Sequence, residues 1–86
     1  MVESRWFLYM VTCNDGTIYT GITTDIDRRV HEHNNSKKGA KYTRSRRPVV
    51  LSYIRLCENR SKASKAEAAI KKLSRKEKIE IINSYC

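Results

Sequence analysis

Trp6 to Cys13 is an unbroken apolar and aromatic run, Trp-Phe-Leu-Tyr-Met-Val-Thr-Cys, and it limits the folds open to this chain. The run falls far short of the ~20 residues of a membrane span. Its length and its aromatic and β-branched content suit a strand buried on both faces. Asn14-Asp15-Gly16 follows, and these residue types tolerate the positive φ of a hairpin turn. Thr17 to Thr23, again rich in β-branched residues, predicts a second strand. Two strands joined so tightly pair antiparallel.

Beyond the hairpin the periodicity changes. Thr24-Asp25-Ile26-Asp27 has the form of a helix start, with Thr24 as N-cap and acids in the first turn. This helix is expected to run to about Asn34, with Ile26 and Val30 one turn apart on its core face. From Asn34 to Arg47 the chain is polar and basic, which predicts a loop. Pro48 opens a third strand, Val49 to Leu56, at the one strand position where a missing N–H is harmless. Glu58 to Arg60 suggests a turn. Another helix is expected from about Ser61, with Ala63, Ala66, Ala69, Ile70 and Leu73 along one side. Ser74-Arg75-Lys76-Glu77 is a capping-box pattern that starts a last helix, striped by Ile79, Ile82 and Tyr85. The expected order is therefore β-β-α-β-α-α. This is an α/β (α+β) chain with a small three-stranded antiparallel sheet flanked by helices, in one domain spanning 1–86.

At 86 residues such a chain buries roughly 60% of its unfolded surface, enough for a thin core. Eighteen Lys and Arg against nine Asp and Glu leave a net charge of +9. So strong a field on so small a body favours polyanionic partners, nucleic acid foremost. No membrane partner is expected, because a membrane-surface protein needs an amphipathic Trp- and Leu-faced helix that is not visible here. The N-terminus carries no apolar signal core, so the expected location is the cytoplasm. Cys13, Cys57 and Cys86 lack metal-ligand spacing and read as two core residues and a terminal thiol.

The chemistry-bearing residues converge through this topology. In a hairpin centred on Asn14 and Asp15, positions summing to about 29 lie opposite each other, which brings Tyr9 and Tyr19 together on one face. Gly21 leaves that face open beside them, as strand glycines do where a ligand approaches. Arg29 and His33 are four apart on the next helix and share a face at the rim of the core. Glu67 lies at the edge of the later helix's apolar stripe, where a lone carboxylate can ligate a metal.

Phe7-Leu8-Tyr9, Tyr19-Thr20-Gly21, Arg29 ten residues after the second tyrosine and a late helical Glu67 together resemble the GIY-YIG nuclease domain. The likeness is to its small stand-alone bacterial members, and it covers essentially the whole chain. The first element keeps only its tyrosine and the second its tyrosine and glycine. The resemblance implies a metal-dependent endonuclease that hydrolyses phosphodiester bonds. Glu67 would hold one Mg²⁺ or Mn²⁺, and Arg29 would clamp the phosphate. Tyr19 would activate water, Tyr9 would orient water or phosphate, and His33 would relay a proton. Excision-repair members carry a lysine after the glycine, where Ile22 stands here, so excision repair is not implied.

Between Glu32 and Glu58 no acid occurs. Lys37, Lys38, Lys41, Arg44, Arg46 and Arg47 surround Tyr42, a mixture of cations and one aromatic suited to a phosphate backbone and a stacked base. With Gly21 they form the expected nucleic-acid-binding set. A second cluster, Lys71, Lys72, Arg75, Lys76 and Lys78, has acids beside it and is the weaker candidate. DNA is favoured over RNA, with a protein partner as a source of specificity. The alternative function is a non-catalytic nucleic-acid-binding module acting with a partner.

Overall fold

A computed structural model describes residues 5–85. The elements are β1 (Trp6–Thr12), β2 (Ile18–Thr23), α1 (Ile26–Asn35), α2 (Lys41–Arg44), β3 (Val50–Cys57), α3 (Arg60–Lys71) and α4 (Arg75–Tyr85). The sheet order is β2-β1-β3, with both pairings antiparallel. This is the expected α+β architecture, with the apolar run as its central strand. Side chains alternate across β1, so both of its faces are covered. Leu8 and Met10 pack with Ala63 and Ile70 of α3 and with Ile81 and Ile82 of α4. Tyr9 and Val11 point the other way, onto Ile26 and Val30 of α1.

The hairpin register differs by one residue from the expected one. Asn14, Asp15 and Gly16 form a three-residue turn in which Gly16 N–H donates to the Cys13 carbonyl and Cys13 N–H to that of Thr17. Gly16 sits at φ 85°, a left-handed conformation that costs glycine nothing. The extra turn residue places Tyr9 opposite Gly21 and Tyr19 opposite Val11. The two tyrosines are therefore diagonal neighbours on the α1 face rather than a direct pair.

Other boundaries shift for local reasons. Asp25, not Thr24, caps α1, its carboxylate accepting from Arg28 N–H at 3.0 Å. Asn59 caps α3 in the same way, so that helix begins at Arg60 instead of Ser61. The capping box on α4 forms in both directions between Ser74 and Glu77. Ala69 is exposed rather than facing the core, and Ile81 joins Ile82 in packing on the Leu8 cluster. Part of the expected loop is the helical turn α2. Cys13 and Cys57 are buried free thiols, while Cys86 lies outside the described residues. No helix among the described residues is long and apolar enough to cross a membrane.

Two side chains tie the basic segment to the body. Asn34 accepts from Val49 N–H at 2.7 Å and donates to its carbonyl at 3.1 Å, pinning the start of β3 to α1. Arg47 donates to the carbonyls of His33 and Ser36, and to that of Glu32 at 3.3 Å. They lie at the C-terminus of α1, where a helix leaves carbonyls without a helical partner and where a cation is also favoured by the helix dipole. The Glu32 carbonyl accepts from Ser36 N–H as well.

Candidate active site

Tyr9, at the middle of the central strand, and His33, in the last turn of α1, are both almost fully buried. The Tyr9 hydroxyl lies 2.7 Å from His33 Nε2. His33 Nδ1 lies 2.8 Å from Thr43 Oγ1, and the Thr43 hydroxyl donates to the Ala40 carbonyl at 3.0 Å. That last bond sets the direction of the chain, because a hydroxyl has one proton to give. Thr43 must accept from His33 Nδ1–H, so Nε2 is the acceptor and Tyr9 donates to it.

The ionisation states agree with that direction. Burial pushes the His33 pKa from 6.5 down to about 4, with the Arg29 charge acting in the same sense, Glu32 opposing and Arg47 assisting. The imidazole is therefore neutral near pH 7. Burial raises the Tyr9 phenol from 10.0 to about 12, although Arg29 pulls against this by hydrogen bonding and charge. Tyr9 keeps its proton at neutral pH.

Arg29 and Tyr19 line the outer side of this chain. Arg29 Nη1 donates to Glu32 Oε1 at 3.1 Å and to the Lys38 carbonyl at 2.8 Å. Those two bonds use the protons of one nitrogen and hold the guanidinium in place; of the other three donors one is drawn to the Tyr9 hydroxyl, which leaves two. Tyr19 is half-buried. Its ring meets His33 edge-on at 5.3 Å and stacks on Tyr42 at 5.9 Å.

Glu67 reaches the same region from the other layer. It lies on α3, which packs across β1 and β2, and its carboxylate contributes to the field at Tyr9. Lys71 Nζ lies 3.2 Å from Glu67 Oε2 and 5.9 Å from the centroid of the Tyr19 ring. The acid, the cation and the tyrosine thus meet near β2, the edge strand. Among the described residues no three His, Cys, Asp or Glu side chains gather in a metal-binding cluster. A single carboxylate is nevertheless what Mg²⁺ needs when waters and substrate phosphates supply its other ligands.

The structure brings Tyr9, Tyr19, Arg29, His33 and Glu67 into one neighbourhood, but it reassigns others. Gly21 does not leave the face open. A Cβ there would lie 2.5 Å from the Tyr9 hydroxyl oxygen, so the glycine is required by the Tyr9 ring that fills this space. Arg47 is spent on the carbonyls ending α1 and is not a free phosphate contact. Arg46 pairs with Asp15 at 3.0 Å and lies 4.0 Å over the Tyr42 ring. Lys37, Lys38, Lys41, Tyr42 and Arg44 are exposed. Sequence reasoning missed Thr43. The available signal was that a buried neutral histidine needs a partner on each ring nitrogen, and a threonine stands ten positions after His33.

The GIY-YIG catalytic-domain family matches residues 5–80. The chain belongs to the GIY-YIG family. Relatives include a UPF0213 protein of Desulfotalea psychrophila, 67% identical over 69 residues, which cover 80% of this chain and 63% of that protein. A UPF0213 protein of Syntrophus aciditrophicus is 48% identical, over 92% of this chain and 91% of that one. Among solved structures, an Enterococcus faecalis protein aligns with a TM-score of 0.66 at 46% identity, covering 96% of this chain and 88% of its own. A UPF0213 protein of Bacillus halodurans aligns at 0.59 and 40% identity, covering 92% and 83%. This GIY-YIG chain thus shares its fold with small proteins of similar length, and its domain is of nuclease type.

Proposed function

We propose that this GIY-YIG domain is a divalent-metal-dependent endonuclease that hydrolyses phosphodiester bonds in nucleic acid, DNA more readily than RNA. The observation that carries the proposal is the buried Tyr9–His33–Thr43 chain with Arg29, Tyr19 and Glu67 around its outer end. A structural core does not require a directed hydrogen-bond chain ending beside an arginine, a second tyrosine and a carboxylate.

In this reading Arg29, fixed by Glu32 and Lys38, presents its remaining donors to the scissile phosphate and offsets charge that builds in the transition state. Tyr19, outside the hydrogen-bond chain, is the phenol that meets the attacking water. Tyr9 has a positioning role, since its proton is committed to His33. The chain holds the Tyr9 oxygen towards Arg29, and neutral His33 fixes the phenol by accepting its hydrogen bond. Glu67 would hold one Mg²⁺ or Mn²⁺, which supplies Lewis-acid polarisation of a phosphate oxygen when bound.

The Glu67–Lys71 ion pair favours a second reading, in which the carboxylate is structural and the domain binds nucleic acid without cutting it, acting with a partner protein. Incubation with labelled single-stranded and branched DNA, in Mg²⁺, in Mn²⁺ and in chelator, separates the two. The enzyme reading predicts cutting that chelator abolishes. Salt-sensitive binding with no cutting under any of these conditions overturns it in favour of the binding module.

A further inference from the structure

A cleft of about 190 Å³ lies beside Tyr42, lined by Thr17 and Ile18 at the start of β2 and by Arg75 and Lys78 of α4. It joins three elements far apart in sequence. The second basic cluster, which its neighbouring acids made the weaker candidate, here meets the aromatic of the first. Neither Arg75 nor Lys78 pairs with a carboxylate among the described residues. Among the described residues, Arg75 is held by a long bond of 3.3 Å to the Gly16 carbonyl. The cleft adjoins the site through Tyr42, which stacks on Tyr19, whose ring in turn meets His33.

We propose that this cleft seats a nucleotide flanking the scissile phosphate on a single-stranded or frayed strand. Arg75 and Lys78 neutralise its phosphate, and its base lies against the part of Tyr42 that lines the cleft, the ring also carrying Tyr19 and Arg46. The volume is below the ~300 Å³ at which pockets begin to enclose whole drug-sized ligands, and it suits one nucleotide unit. Contact between a base and Tyr42 requires that base to be unstacked, which selects a single strand over an intact duplex. This assignment rests on the nucleic-acid reading above and specifies its substrate class.

The test uses the full chain in chelator, so that cutting is silent. Fluorescein-labelled single-stranded DNA is titrated by anisotropy across a salt series, and a 2-aminopurine probe reports stacking. The Arg75→Ala/Lys78→Ala pair is expected to lose at least about tenfold in affinity at 0.1 M salt. Its log–log salt slope should flatten by about 0.7–1.4, at ~0.7 per neutralised phosphate. Arg60→Ala/Lys65→Ala removes the same charge from a different helix, α3, and is expected to change affinity less than about threefold. Tyr42→Leu should bind with an unchanged salt slope but lose the quenching of 2-aminopurine. Equal losses from the two double variants mean charge alone, and overturn the cleft. Unchanged binding by Arg75→Ala/Lys78→Ala overturns it too, while leaving the nuclease reading standing. If the wild-type chain binds no strand, both readings fall.

Discussion

Acidification should destabilise this protein through His33 before carboxylates dominate. The imidazole titrates near 6.5 when free of the fold and near 4 within it. Its folded pKa is depressed, so the unfolded chain binds the extra proton first, and stability falls as pH drops through 6.5 towards 4. At pH 5 the unfolded imidazole is almost fully protonated and the folded one about nine-tenths neutral. Linkage then puts the loss relative to pH 7.5 at about 2 kcal/mol. For a domain of this size that corresponds to a fall in Tm of roughly 8–16 °C. The assay is thermal unfolding by circular dichroism at pH 7.5, 6.5, 5.5 and 5.0, for the wild type and for His33→Gln. The glutamine keeps an amide for the Tyr9–Thr43 chain but does not titrate, so the variant should lose much less stability over this interval. In parallel, the NMR signals of His33 should remain those of neutral imidazole at pH 5. Identical slopes for the two proteins, or a protonated His33 at pH 5.5, would refute the burial argument and with it the direction assigned to the hydrogen-bond chain.

Other consequences can be checked more simply. Gly21→Ala places a methyl against the buried Tyr9 ring. It should cost about 1–3 kcal/mol by urea unfolding and perturb the His33 ring signals. Arg47→Ala removes the side-chain donor from the His33 and Ser36 carbonyls that end α1 and should cost about 2–3 kcal/mol. Its salt slope for DNA binding should stay unchanged, whereas a flattened slope would restore Arg47 to the binding surface. Thr20 Oγ1 is buried without a hydrogen-bond partner among the described residues. Thr20→Val should therefore raise stability by about 1 kcal/mol, and a clear loss in urea unfolding would contradict that assignment.

The sheet was legible because β1 and β2 write their burial locally: an unbroken apolar run, a turn signal and a β-branched run leave few alternatives. Register was not, because a two-residue and a three-residue turn fit Asn14-Asp15-Gly16 equally well. The fold decides between them through Gly16 at positive φ. The residues that meet at the site were legible as spacings, Arg29 to His33 on one helix face and Tyr9 and Tyr19 on one sheet face. What each contacts was not, since contact depends on segments distant in the chain. Gly21 illustrates this. Its absent side chain is consistent with either an open face or a neighbour filling the space, and only the register shows the Tyr9 ring there. Arg47 reads from sequence as one more cation in a basic loop. Its role as a helix terminator follows from the fold of residues 34–49, where polar side chains bond to backbone rather than to solvent.

The central claim is that Arg29 and Glu67 perform chemistry and do not merely hold substrate. Single-turnover cleavage of labelled DNA and equilibrium binding of the same DNA should be measured side by side for the wild type, Arg29→Ala and Glu67→Gln. The account predicts cleavage rates at least about 10²-fold lower in both variants, the scale of losing one preorganised transition-state contact, with affinities within a few-fold of wild type. Cleavage that survives both substitutions, or that falls only as far as binding falls, would contradict it.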